Sequence, residues 1–238
     1  MSATYPCGPS PAASVSRRAQ NGFTLMELII VVAVLVVIAT VAIPNLLAGR
    51  MVANERSVLA ALRSIVTAQA QNRAHVSIDT DRDGQAEAAL LQELAGTRPL
   101  RGSGSPMTPP ALPVSLGEVD EDGLVLHHGY HFALFLPDAS GSGMVVRTGD
   151  EGSIDADLAE NFWTCIAWPA QRGGRGNATF FTNQTGDIVC ARLATYNGKV
   201  SMPPAGAALI GVDASTITTE QVALGRVGAD GNLWTLPQ

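Results

Sequence analysis

From Phe23 to Leu47 the chain is apolar at almost every position. Read as a helix, at about 1.5 Å per residue, the stretch is about 37 Å long, enough to cross the hydrocarbon core of a bilayer. Valine and isoleucine dominate it, which a helix in lipid tolerates because its backbone bonds are satisfied internally. Beyond Leu47 the helical period continues. Leu59, Leu62, Val66 and Ala70, with Val58 and Ile65 beside them, recur at steps of three and four. Arg56, Arg63, Gln69 and Asn72 fall largely outside this stripe. The pattern predicts one long helix from Phe23 to near His75, its first half for membrane and its second for packing on a globular domain.

The pattern then shortens. Ala86–Leu94 predicts a short helix ending at Gly96, and the glycine, serine and proline of Gly102–Pro113 predict a surface loop. Tyr130–Leu136 and Phe162–Trp168 alternate and stop at Pro137 and Pro169. Ala178–Thr182 and Ile188–Ala191 flank Asn183-Gln184-Thr185-Gly186-Asp187, which predicts a hairpin with glycine in the turn. A long helix followed by antiparallel strands is an α+β pattern. Residues 201–238 are poorly patterned; they predict solvent-facing loops and a last strand near Leu233–Leu236.

At 238 residues the chain has room for an anchor plus one domain, or for two small domains. Arg17 and Arg18 precede the apolar run, and no lysine or arginine recurs until Arg50. This bias predicts a cytoplasmic N-terminus, with the bulk of the chain across the membrane. The formal charge is −6, and the first 22 residues supply two arginines and no acid, so the remainder carries −8. An acidic remainder without a basic cluster argues against a nucleic-acid partner. Cys7 follows no apolar stretch, so it is not a lipoprotein-type cysteine. If the downstream part is exported, Cys165 and Cys190 are the natural disulfide pair; the alternative is two small buried residues.

Glu27 stands near the start of the apolar run, where a carboxylate is costly and by default functional. A cleaved secretory signal does not fit, because the run is too long and neither Ala42 nor Ala48 sits in an Ala-x-Ala pattern. A plain anchor fits the length but gives Glu27 no role. Gly22-Phe23-Thr24-Leu25-Met26-Glu27-Leu28-Ile29 resembles the processing site of type IV prepilins and type II secretion pseudopilins.

That resemblance implies a pilin-like fold and a division into a leader of residues 1–22, a long helix of 23–75 with 23–47 as membrane and assembly segment, and an exported domain of 76–238. It implies that prepilin peptidase cuts after Gly22 and N-methylates Phe23. Glu27 would meet the terminal amine of a neighbouring subunit and set register. Phe23 and Glu27 of one chain, four residues apart on a helical face, are the alternative pair. Pro44 matches a position where many pilins carry proline. It loosens the helix for filament packing, or merely sits near the membrane exit where a kink costs little. Gly49 weakens the helix further. The implied protein is a structural subunit and not an enzyme. Its partners are the peptidase and other pilin or pseudopilin subunits. It resides first in the bacterial inner membrane as a single-pass protein, then in a periplasmic or extracellular filament. A minor or tip subunit acting as a binding module is the alternative.

Other chemistry is sparse. Asp79, Asp81 and Asp83, followed by Gly84, match the first half of an EF-hand calcium loop. The match fails at the twelfth position, Leu90, and Glu87 stands at the ninth. Calcium is thus a candidate ligand, the alternative being a solvated turn, and no other cofactor is expected. His127, His128 and His131 lack the cysteine or carboxylate partners of a zinc site. Asn177-Ala178-Thr179 and Asn183-Gln184-Thr185 are formal glycan acceptors.

Overall fold

A computed structural model of the chain describes residues 23–147, 149–219 and 221–237. The leader 1–22, with Gly22, Arg17, Arg18 and Cys7, lies outside the described residues. The chain divides into two units, one ending at Pro44 and one beginning at Asn45. The helix α1, Leu25–His75, runs through that division.

In the first unit α1 is exposed around its whole circumference, and an 18-residue apolar window within it has no buried share. By length and composition it can cross a membrane. Its helical assignment continues through Pro44 and Gly49. Pro44 has no N–H to offer the carbonyl of Thr40, and the Thr40 hydroxyl instead donates to the Val37 carbonyl at 2.6 Å.

In the second unit the sheet runs β1 (Val125–His127), β2 (Tyr130–Pro137), β4 (Thr164–Pro169), β5 (Thr179–Asn183) and β6 (Ile188–Ala191), with β3 (Gly143–Val145) also pairing to β2. Every pairing is antiparallel. A two-residue turn joins β1 to β2: His127 faces Tyr130, and His128 and Gly129 both have positive φ, the type I′ geometry. The small pair β7 (Arg226–Val227) and β8 (Leu233–Trp234) adjoins β6, where Cys190 and Thr235 exchange backbone bonds of 2.8 and 2.9 Å. Two short α-helices, α2 (Leu91–Leu94) and α3 (Ala156–Ala159), and two single-turn 3-10 helices, Val114–Leu116 and Glu151–Ser153, complete the helical elements among the described residues.

Both faces of the sheet are covered. On one, Tyr130, Phe132, Leu134, Leu136, Cys165 and Phe180 pack with Val58, Leu62, Ile65 and Ala68 of α1 and with α2. On the other, Ala133, Phe135, Ile166, Trp168 and Phe181 pack with Ala205, Ala207, Leu209, Ile217 and Trp234. The C-terminal stretch is therefore a covering layer and not the solvent-facing set of loops that its pattern predicts. Its alanines are small enough to lie close against the sheet without a regular element of their own, so periodicity gave no signal.

The observed architecture is the α+β, pilin-like arrangement: a long N-terminal apolar helix followed by an antiparallel sheet domain.

Candidate functional site

The N-terminal segment is organised by Thr24 and Glu27. Thr24 immediately precedes α1, and Glu27 is the third helical residue. The Thr24 N–H and hydroxyl both donate to Glu27 Oε2 at 2.9 Å, and the Glu27 N–H donates to the Thr24 hydroxyl at 3.2 Å. The Leu28 N–H closes the first turn on the Thr24 carbonyl at 3.2 Å. This is a reciprocal capping box: threonine and glutamate three apart satisfy helix-end donors that lipid leaves without partners. The Thr-x-x-Glu spacing is the sequence signal of this cap.

Phe23 lies just outside the helix and is 87% exposed. The helix begins at Leu25, two residues after Phe23. Leu25, Met26, Leu28 and Ile29 are exposed alongside. The segment thus presents a wide apolar surface whose one carboxylate is aimed at its own N-cap. Cutting the bond before Phe23 would place a new cationic amine one residue upstream of that cap.

The second unit holds a buried polar set that the sequence pattern misassigned. Gln69 and Asn72 face inward on α1. The Gln69 side-chain amide donates to the Ala89 carbonyl at 2.7 Å and accepts from the Ala89 N–H at 2.9 Å. Asn72 donates to the Glu87 carbonyl at 2.8 Å. These amides serve as backbone surrogates, holding the extended 86–90 stretch against the helix. Ala70, assigned to the stripe, is exposed. The predicted helix Ala86–Leu94 shrinks to α2 because its first half is held extended in this way.

Glu87 turns inward too. It accepts from the Thr80 N–H at 2.7 Å and from the Thr80 hydroxyl, and its other oxygen lies 3.4 Å from Arg101. Arg101 also pairs with the fully buried Glu93 at 3.1 Å, whose Oε2 accepts the Leu90 N–H at 2.7 Å. Two buried carboxylates thus share one guanidinium, a rigid fork suited to bridging them.

Asp79, Asp81 and Asp83 come together: their oxygens lie within 4.8 Å of one another. The Asp79 carboxylate also accepts the N–H groups of Arg82 and Gly84 at 2.6 and 3.2 Å. A neighbouring acid, Glu160 at the end of α3, is buried. Its burial, and then the charges of Asp83, Asp81 and Asp157, hold its carboxyl above the usual range. Sequence gave no sign of Glu160, which lies far along the chain.

Cys165 and Cys190 are both free and buried, which corrects the disulfide. Both lie on the α1 side of the sheet, but β5 stands between their strands: Cys165 faces Thr182, and Phe180 faces Cys190. Two strand spacings separate them by about 10 Å, beyond the roughly 7 Å limit for a bridge. Burial pushes the Cys165 thiol well above its ordinary value.

The histidines do not converge. The His127 and His128 rings stack edge to face at 4.2 Å, while His131 packs against Trp168. Asn183 is buried and accepts from the Thr185 hydroxyl at 2.7 Å, so it is no glycan acceptor; Asn177 is exposed.

Residues 17–43 match the family model described as the prokaryotic N-terminal methylation motif. Over 74 residues the chain is 42% identical to the type IV wide pilus major component PilA4 of Thermus thermophilus. That match takes in 31% of this chain and 53% of the relative, so the chain spans about half the relative's length. No solved structure matches the chain. By residues 17–43 the chain carries the prepilin-type N-terminal methylation segment.

Proposed function

We propose that this chain is a structural subunit of a filament of the type IV pilus class, either a pilus or a type II secretion pseudopilus. It is cut after Gly22 by prepilin peptidase and N-methylated at Phe23. It waits in the inner membrane on residues 23–47 with its N-terminus cytoplasmic, and residues 76–238 are exported. It is a substrate of processing and not an enzyme.

The observation that carries this reading is the methylation motif at residues 17–43, placed at the start of a fully exposed apolar helix that leads into an α+β domain. The name of the Thermus thermophilus relative, a wide-pilus major component, favours a pilus over a pseudopilus. Apolar side chains of the first unit are exposed all round, and a filament core or lipid is the environment that removes them from water. Glu27 then meets the amine of a neighbouring Phe23, since each charge is costly alone in a low-dielectric bundle. Pro44 and Gly49 give that bundle segment its looseness.

A Gly22→Asp chain tests the reading. The expected result is a retained leader and no sheared filaments containing this subunit. Filaments of wild-type yield from that variant would refute it.

A further inference from the structure

The Asp79–Asp83 loop ends against α3. Oxygens of Asp81, Asp157 and Glu160 lie within 4.8 Å of one another, as do those of Asp79, Asp81 and Asp83. Asp81 is common to both triads. Two oxygens bound to one calcium ion at about 2.4 Å can be no farther apart than about 4.8 Å, a limit that each triad meets.

Acidic clusters are common on protein surfaces, and this one is distinguished by Glu160. That residue is only 8% exposed, and its Oε1 is buried with no hydrogen-bond partner among the described residues. No ion pair among the described residues joins a lysine or arginine to Asp81, Asp83, Asp157 or Glu160. A buried carboxylate with an unpaired oxygen, in a residue grouped with two further acids, is costly unless a cation compensates it.

The loop's failed motif now has a structural reading. The twelfth position, Leu90, is in the core, and Glu87 is taken up by Thr80 and Arg101. Glu160, from outside the loop, brings a carboxylate to Asp81 that the loop's own last position does not supply. An all-oxygen, all-carboxylate set selects a hard cation, and flexible loop ligands favour calcium over magnesium's strict octahedron.

We propose that Asp81, Asp157 and Glu160, with Asp83 and Asp79 of the adjoining loop, bind one calcium ion that ties the loop after α1 to α3. The proposal concerns ion binding by the single chain and stands apart from filament assembly.

The test uses the full chain in detergent, stripped with EGTA, then titrated calorimetrically with CaCl2 and melted with and without about 1 mM CaCl2, a concentration suited to exported calcium modules. One ion should bind per chain, and the melting temperature should rise. Glu160→Gln and Asp81→Asn should each weaken binding by about tenfold or more, since ligand charge sets affinity. In EGTA, Glu160→Gln should melt at or above the wild-type temperature, because it relieves the repulsion without a cation. A wild-type chain indifferent to CaCl2 would overturn the site. So would a Glu160→Gln chain that titrates like wild type, or a response to MgCl2 as large as that to CaCl2.

Discussion

Glu27 Oε2 accepts both the N–H and the hydroxyl of Thr24, each at 2.9 Å. The carboxylate therefore has local partners before any cut is made, and two roles of Glu27 can be separated by substitution. Glutamine preserves the capping box but removes the charge. Under the proposed function, Glu27→Gln should be cut normally yet give at least about tenfold fewer filaments, because the contact with a neighbour's amine depends on charge. Thr24→Ala should lower filament yield only about two- to threefold, the loss of a cap alone. Filaments sheared from equal cell masses and quantified by immunoblot measure both. Equal losses in the two variants would mean that capping is all Glu27 does.

The cysteines yield a simple count. The chain after Gly22 contains Cys165 and Cys190, both free in the structure. Two thiols per processed chain should react once it is unfolded in denaturant, and non-reducing mobility should equal reducing mobility. In the folded chain Cys165 should react slowly, since burial disfavours its thiolate. Fewer than two thiols under denaturing conditions would restore a bridge.

Arg101 is the only cation paired with Glu87 and Glu93 among the described residues. Arg101→Leu leaves two buried carboxylates without a counter-charge and should cost about 3–5 kcal/mol. Chemical denaturation of the full chain in detergent measures it. A loss under about 1 kcal/mol, the scale of exposed pairs, would show that the network is superficial.

His131 gives a pH dependence of definite sign. Burial holds its imidazole below the ordinary value; Asp120 opposes this and Lys199 reinforces it. A histidine with a depressed folded pKa contributes stability above its unfolded pKa of about 6.5, and that stability is lost as the pH falls toward the lower folded value. Glu160, whose carboxyl is raised, acts in the opposite sense, so the comparison must be between chains. The melting temperature should fall less between about pH 7 and pH 5 in His131→Phe than in wild type. Parallel pH profiles for the two would contradict this.

Much of this structure was legible in the sequence wherever periodicity ran long enough. α1 and strands β2, β4, β5 and β6 lie where alternation and flanking prolines put them. The three-residue strands β1 and β3 and the four-residue α3 are too short to carry a period. Gln69 and Asn72 are polar yet face inward, because both amides replace backbone partners, which polarity alone does not reveal. The disulfide failed on strand order: β5 is adjacent in sequence to β6 and also inserts between it and β4, a topological fact that cysteine counting does not contain. At the candidate site, Gly22, Phe23 and Glu27 are proposed from a local motif, and Gly22 lies outside the described residues. Thr24's part and Glu160's needed geometry.

The proposed function requires that the chain be cut after Gly22 and N-methylated at Phe23. Intact-mass and peptide mass spectrometry of the chain recovered from membranes tests it most directly. The predicted result is a chain beginning at Phe23 and carrying one N-methyl group. A chain that retains residues 1–22, or that begins downstream of the apolar run, would contradict it.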